Sequence, residues 1–441
     1  MSDLKVRFCS VLFIAIALFL AGCSSETDQP ELDTETEEET LLPENSSDDE
    51  APVEGEADDL PGFLTVVYSE TGELWVAIGF NAPRQITSGH FDRYPILSPD
   101  GTKVLYQREV ESGMAELYRY ELWVINTDGS DERLLVSAAD LPGQMGFAMG
   151  AEEETMLDRL PQQVDWLEDS SGIAFNTLLE SGYGVISFYD LWIADTETGA
   201  VTRLLEDGDG GSFAYSPDST KILVSNPNSV SMVNADGSDR RLLVSYPFVN
   251  TASEYAYNPQ PVWAPDGSYG LVAIASEEPF FADPYITVWR LPLSGEAVVL
   301  STLPGINLFN TMYDRLWNST RTALSYIDDL LSLHIATLDG ESLYVYDNGD
   351  HFLGWSTDDR FWIYRQAGEV MLEGVDSSAV SVVLPAVENS DWFEVKWVSS
   401  TDYVALSGNY FEGMILWTDQ VGGSLREIAT GVNSYDALWM E

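Results

Sequence analysis

Three stretches of this chain carry one phrase: LSPDGTKVLY from Leu97, YSPDSTKILV from Tyr215 and WAPDGSYGLVA from Trp263. Each is the end of a short strand, a Pro-Asp turn and a second strand. Self-similarity at a spacing of tens of residues is the mark of a repeat architecture. The repeated unit is a small antiparallel β-meander, so the fold class is all-β.

Working outward from these turns, two independent features can be counted. A large side chain followed by a polar turn marks the end of a first strand, strand a, at Leu97, Trp166, Tyr215, Trp263, Trp317, Trp355, Trp397 and Trp439. A residue ahead of a Gly-containing hairpin marks a third strand, strand c, at Trp75, Trp123, Trp192, Ser231, Trp289, His334, Met371 and Trp417. Asp-Gly between apolar runs, as in INTDGSDERLL and VNADGSDRRLL, is the expected hairpin signal. Both series give eight units of four strands, the blade of a β-propeller; seven blades is the alternative. The series are offset at the ends: Trp75 has no strand a before it, and Tyr435–Met440 is a strand a with no meander after it. The C-terminal strand is therefore expected to pair with the N-terminal blade, whose strand b is FLTVVY from Phe63, and so close the ring and remove open sheet edges. The blades at 312–347 and 352–387 lack the Pro-Asp turn. The longest spacing, from Leu97 to Trp166, contains Ser137 to Gln162, which holds Glu152, Glu153 and Glu154 and is read as a loop with a short helix.

The N-terminus is a different material. Lys5 and Arg7 precede an apolar run from Phe8 to Leu20, too short for a membrane span and suited to an export signal. Leu20-Ala21-Gly22-Cys23 resembles the bacterial lipoprotein lipobox. The resemblance implies a signal peptide at 1–22, lipidation of Cys23 and a membrane anchor, at the cell membrane or outer membrane on the extracytoplasmic side. Cys9 lies in the signal, so no disulfide is expected. Residues 24–60 contain sixteen Asp or Glu, no Lys or Arg and no aromatic residue. Such a segment cannot bury enough apolar surface to offset its ordering entropy, so 23–60 is read as an acidic tether and 61–441 as the propeller.

Residues 61–441 hold 56 acidic and 18 basic side chains, a net charge of −38. That excludes nucleic acid as a partner, because phosphate binding requires a basic surface.

The INTDGSDERLL and VNADGSDRRLL hairpins, paired with SPDG turns, resemble the repeats of TolB-type, WD-repeat-like propellers. The resemblance implies the propeller fold and an envelope location; it transfers no site residue. Eight-bladed propellers of the dipeptidyl-peptidase family are also similar, but no G-x-S-x-G nucleophile elbow is present here.

Chemistry-bearing motifs are sparse. His334 occupies a strand-c slot and is read as a packing residue. His90 and His351 precede strands a of separate blades, and neither a metal site nor a cofactor is expected. The site expectation is positional: loops leading into strands a rim the channel, and they carry Asp92-Arg93-Tyr94, Asp158-Arg159, Tyr313-Asp314-Arg315, Asp391-Trp392 and Tyr435-Asp436. Asp92, Arg93, Tyr94, Asp314, Arg315 and Asp436 are the ligand-binding candidates, with a carboxylate or acidic peptide the natural partner for Arg. Alternatively, the Arg residues neutralise neighbouring Asp. The function expected is a lipid-anchored module that binds a protein or peptide. The alternatives are a solute-binding or sensory lipoprotein, or a propeller enzyme acting on polysaccharide or peptide.

Overall fold

The second strands show why this sequence makes sheets covered on both faces. Residues 104–106, 173–175, 222–224, 271–273 and 404–406 read VLY, IAF, ILV, LVA and VAL, and all are buried. A short strand with no polar face has to lie between two apolar layers.

The computed structural model describes residues 64–440 apart from 80, 111–118, 149–151, 183, 253–255, 281–282, 306–315, 329, 331, 348, 376–380, 385–391, 410–412 and 424. The expected signal, Cys23, the tether, Asp314 and Arg315 lie outside the described residues. All pairing is antiparallel. Sheet I runs Asp92–Leu97, Lys103–Val110, Arg119–Asn126, Arg133–Val136; sheet II runs Arg159–Trp166, Gly172–Ser181, Leu191–Asp195, Val201–Leu205. Sheet III is Ser212–Tyr215, Lys221–Asn226, Ser229–Asn234, Arg241–Ser245, and sheet IV is Val262–Trp263, Tyr269–Ala275, Tyr285–Pro292, Val298–Pro304. Sheet V contains Ala323–Ile327, Leu333–Thr337 and Ser342–Tyr346; Trp317 joins Leu324 through a single bridge. Sheet VI is Gly349–Trp355, Phe361–Gln366, Glu369–Gly374, Ser381–Leu384. Sheet VII has seven strands in the order Arg84–Gln85, Glu73–Ile78, Leu64–Glu70, Arg426–Trp439, Gly413–Gln420, Asp402–Asn409, Trp392–Trp397. Every strand-c marker sits on the strand expected of it, and every strand-a marker except Trp317 ends a first strand.

The strand Arg426–Trp439 is longer than the sequence suggested, because the last outer strand and the final inner strand are one. Its first half pairs with Gly413–Gln420, and its second half pairs with Leu64–Glu70, from Glu70↔Val432 to Leu64↔Trp439. Gly431, at φ +72°, lies immediately before the changeover.

Each sheet packs face to face on the next. Leu105 and Leu122 of sheet I meet Phe175 and Trp192 of sheet II; Ala174 and Leu191 meet Phe213 and Ile222; Leu223 and Met232 meet Trp263 and Val272. Similar clusters join IV to V, V to VI and VI to VII. Val67, Leu74 and Val76 of sheet VII then pack on Leu97, Val104 and Tyr106 of sheet I. Successive antiparallel meanders packed in this way are the architecture of a β-propeller.

The turns between first and second strands of sheets I–VI share one geometry although only three contain Pro-Asp. Their fourth residue is left-handed in these six: Gly101 at φ +66°, Ser170 +58°, Ser219 +56°, Gly267 +68°, Arg321 +57° and Asp359 +61°. Asp100 accepts hydrogen bonds from Ser98 Oγ (2.6 Å), Thr102 N (3.0 Å) and Thr102 Oγ1 (2.8 Å), and Asp218 accepts the equivalent three. The expected short helix in 137–162 is a 3-10 turn, Ala138–Asp140, capped by Ser137. Beyond it lies an unforeseen hairpin, Gln144–Gly146 with Thr155–Leu157. Among the described residues no helix is long and apolar enough to cross a membrane.

Candidate functional site

In a four-stranded meander, the loops that lead into first strands and the loops between second and third strands leave from the same end. This loop end holds the longer connections, including 137–158, 246–261 and 276–284. The opposite, turn end holds the Asp-centred turns described above and the Asp-Gly hairpins.

Asp92 opens the first strand of sheet I. Expected at a ligand-accessible rim, it is instead fully buried, with both oxygens held by Arg108 at 2.7 and 2.9 Å. Arg108 also donates to Glu132 (2.7 Å) and Tyr106 (3.1 Å), and its guanidinium lies 4.3 Å from the centroid of the Trp123 ring. A buried carboxylate needs such a partner, because desolvation otherwise makes the charge untenable. Burial opposes ionisation of Glu132, but the hydrogen bonds from Arg108 and Tyr106 outweigh it and hold its carboxyl below the usual range. Burial, reinforced by the hydrogen bond to Glu132, pushes the Tyr106 phenol up.

Sheet II has a second buried ion cluster. Arg159 meets Asp190 (3.0 Å) and Asp207 (2.8 and 3.1 Å), with the Phe188 ring centroid 3.4 Å from its guanidinium. Asp190 also accepts from Thr177 N (2.8 Å), Thr177 Oγ1 (2.6 Å) and the Trp192 indole (2.6 Å). The hydrogen bond from Arg159 keeps Asp207 ionised below its ordinary value, against a burial penalty. Arg159 therefore neutralises neighbouring Asp.

The other expected residues separate. Arg93 does not pair with Asp92: it lies over the Phe91 ring at 4.6 Å and 3.9 Å from Glu109. Tyr94 is exposed, at φ +51°, with its N–H donating to Ser434 Oγ (3.0 Å). Asp436 accepts from Leu97 N (2.8 Å) and pairs with Lys396, so it ties first strands of sheets I and VII together. Arg108, Glu132 and Lys396 were not singled out from sequence. A charged residue within the buried strand KVLYQREV was the available signal for Arg108.

His334 stacks on Tyr326 with centroids 4.7 Å apart and meets Asp328 at 2.9 Å, which fits a packing role. Among the described residues no group of three His, Cys, Asp or Glu is placed to hold a metal. A cleft of about 360 Å³ opens at the loop end between sheets I and II, lined by Arg119, Glu121, Ala138, Asp158 and Leu160. The Arg119–Asp158 ion pair sits in its wall.

No family model matches this chain, and no curated protein does. Solved structures with a similar course include a eukaryotic initiation factor, 12% identical at a TM-score of 0.48, covering 86% of this chain and 98% of that one. Dipeptidyl peptidase 4 of Porphyromonas gingivalis is 11% identical at 0.47, covering 85% of this chain and 60% of that one. The β-propeller domain of the trilobed protease from Pyrococcus furiosus is 13% identical at 0.40, covering 77% of this chain and 95% of that one. At these identities no residue role carries over.

Proposed function

We propose that the chain is a lipid-anchored, extracytoplasmic propeller of eight blades that docks a protein or peptide at its loop end. The blade count follows from reading sheet VII as two blades that share Arg426–Trp439, one built on its first half and one on its second. The cluster joining sheet VII to sheet I supports a closed ring. The anchor rests on Leu20-Ala21-Gly22-Cys23 and the acidic 24–60 segment behind it.

One observation carries the docking role. Phe91, Phe248, Phe280 and Leu330 are exposed, and all four lie in connections at the loop end. Large apolar side chains exposed on loops above a packed scaffold are the signature of a contact surface. Arg93, Tyr94 and Arg315 are the proposed polar contacts with the partner.

The test is cross-linking in living cells with the tagged full-length protein, followed by mass spectrometry. A discrete, reproducible partner, lost in the Arg93→Ala/Arg315→Ala variant, is the expected result. No partner above background at normal abundance would refute the docking role and direct work to a ligand screen. Cys23→Ser should release the protein from the membrane fraction; retention there would refute the anchor.

A further inference from the structure

The docking reading can be narrowed to one outgrowth and one kind of partner. The outgrowth lies on sheet II at the loop end and has two parts: the hairpin Gln144–Gly146/Thr155–Leu157, a sheet of its own, and the strand Gly184–Ser187, which pairs antiparallel with the end of Gly172–Ser181. A two-stranded hairpin alone is marginal in water, but this one is tied down. Leu157 and Ala148 share a buried cluster with Leu179 and Phe188, and Gly182 N–H donates to the Phe147 carbonyl (2.7 Å).

On this rigid base the apolar pattern is inverted. Met145 stands opposite Met156 across the hairpin, and the two are 52% and 54% exposed; Ile186, on the strand paired with Gly172–Ser181, is 41% exposed. Methionine is an adaptable, polarizable contact residue, used where a surface has to mould to a partner. Between these strands the chain carries Glu152, Glu153 and Glu154, all exposed. Residues 137–158 and 182–190 contain no Lys or Arg.

We infer that this outgrowth binds a segment of another protein in which Lys or Arg stand beside apolar side chains. The apolar positions would seat on Met145, Met156 and Ile186, and the basic ones would meet the three glutamates. Charge complementarity selects this occupant. A second copy of the chain, with a net charge of −38 over residues 61–441, is repelled, as are anionic lipid and nucleic acid.

The inference rests on the docking reading, and its test separates the two. The full-length protein is titrated with a fluorescent peptide alternating Lys and Leu, and with its Glu-for-Lys counterpart. The comparison sets M145S/M156S/I186S against L293S/V375S, which removes exposed apolar side chains at the turn end. The expected result is binding of the Lys peptide only, weakened on the order of tenfold or more by the first variant and unchanged by the second, with equal unfolding midpoints. Equal affinity for both variants, or equal loss in both, overturns the inference, since a diffuse acidic surface would then account for the binding. A photo-cross-linker at position 156 or 248 in cells distinguishes the failures. A partner captured only from 248 overturns this placement and leaves docking at the loop end standing; no partner from either position counts against both.

Discussion

Sheets II and IV in one region and sheets V–VII in the other carry a tryptophan at the first-strand station and use it differently. Trp166 donates its indole N–H to the Ile96 carbonyl of sheet I (3.1 Å), and Trp263 donates to the Ala214 carbonyl of sheet III (2.9 Å). Gln163 adds a second tie, donating to the Phe213 carbonyl and accepting from its N–H. Trp317, Trp355 and Trp397 occupy the same station, yet their buried indole N–H groups have no partner among the described residues. One sequence marker therefore has two energetic meanings. In the first region it closes a belt of inter-sheet hydrogen bonds. In the second it supplies apolar area, and no described residue takes the indole N–H; a buried donor left unpaired costs about 1–3 kcal/mol.

The largest expected effect lies in the well-bonded region. Asp92→Ala leaves Arg108 buried without its bidentate partner and should cost about 3–5 kcal/mol in a denaturant titration. Replacing both partners together, as Asp92→Leu/Arg108→Met, should cost clearly less. Equal losses would mean that the pair is not a coupled unit.

The belt itself is tested next. Trp263→Phe and Trp317→Phe remove similar volume, but only the first breaks a made hydrogen bond. The first should therefore lose about 1–2 kcal/mol more than the second. Equal losses would erase the contrast between the two regions.

How much of this contrast was legible in the sequence depends on distance along the chain. The turns were readable because their chemistry is local: Ser98, Asp100 and Thr102 solve one bend among themselves. The strand-c series was readable because Trp123, Trp192 and Trp289 precede local hairpins. The Asp92–Arg108 pair was not readable, because the partner is set by cross-strand register, Asp92↔Arg108, which no local motif announces. Nor could residue type show that Trp263 finds a carbonyl where Trp317 finds none among the described residues. The Gln144–Gly146/Thr155–Leu157 hairpin escaped because its strands are too short to show a period.

A pH experiment follows from the turns of sheets I–IV. Asp169 and Asp218, hydrogen-bonded by neighbouring Ser or Thr hydroxyl and N–H groups, titrate below their ordinary value, as does Asp266. Asp100 does so too, against a burial penalty. A carboxyl whose folded pKa is depressed stabilises the fold above its unfolded pKa, about 3.9, and that stabilisation is lost as pH falls through the folded value. Hydrogen exchange should show the amides of Thr102, Ser171, Thr220 and Ser268 losing protection selectively below about pH 4. Protection unchanged down to pH 2 would contradict the turn assignment.

The smallest effect concerns the left-handed position. Ser219→Gly relieves the φ +56° backbone and should change stability by under about 1 kcal/mol, in the stabilising direction. A loss larger than that would show that Ser219 contributes more than a bend.

The central claim is the eight-bladed ring that shares one strand between its first and last blades. A crystal structure of the protein tests it most directly. Eight four-stranded sheets around one axis, with Ala437 opposite Val66 as in the pairing of Leu64–Glu70 with Arg426–Trp439, is the result predicted. Seven sheets, or a C-terminal strand that leaves Leu64–Glu70 unpaired on that edge, would contradict it.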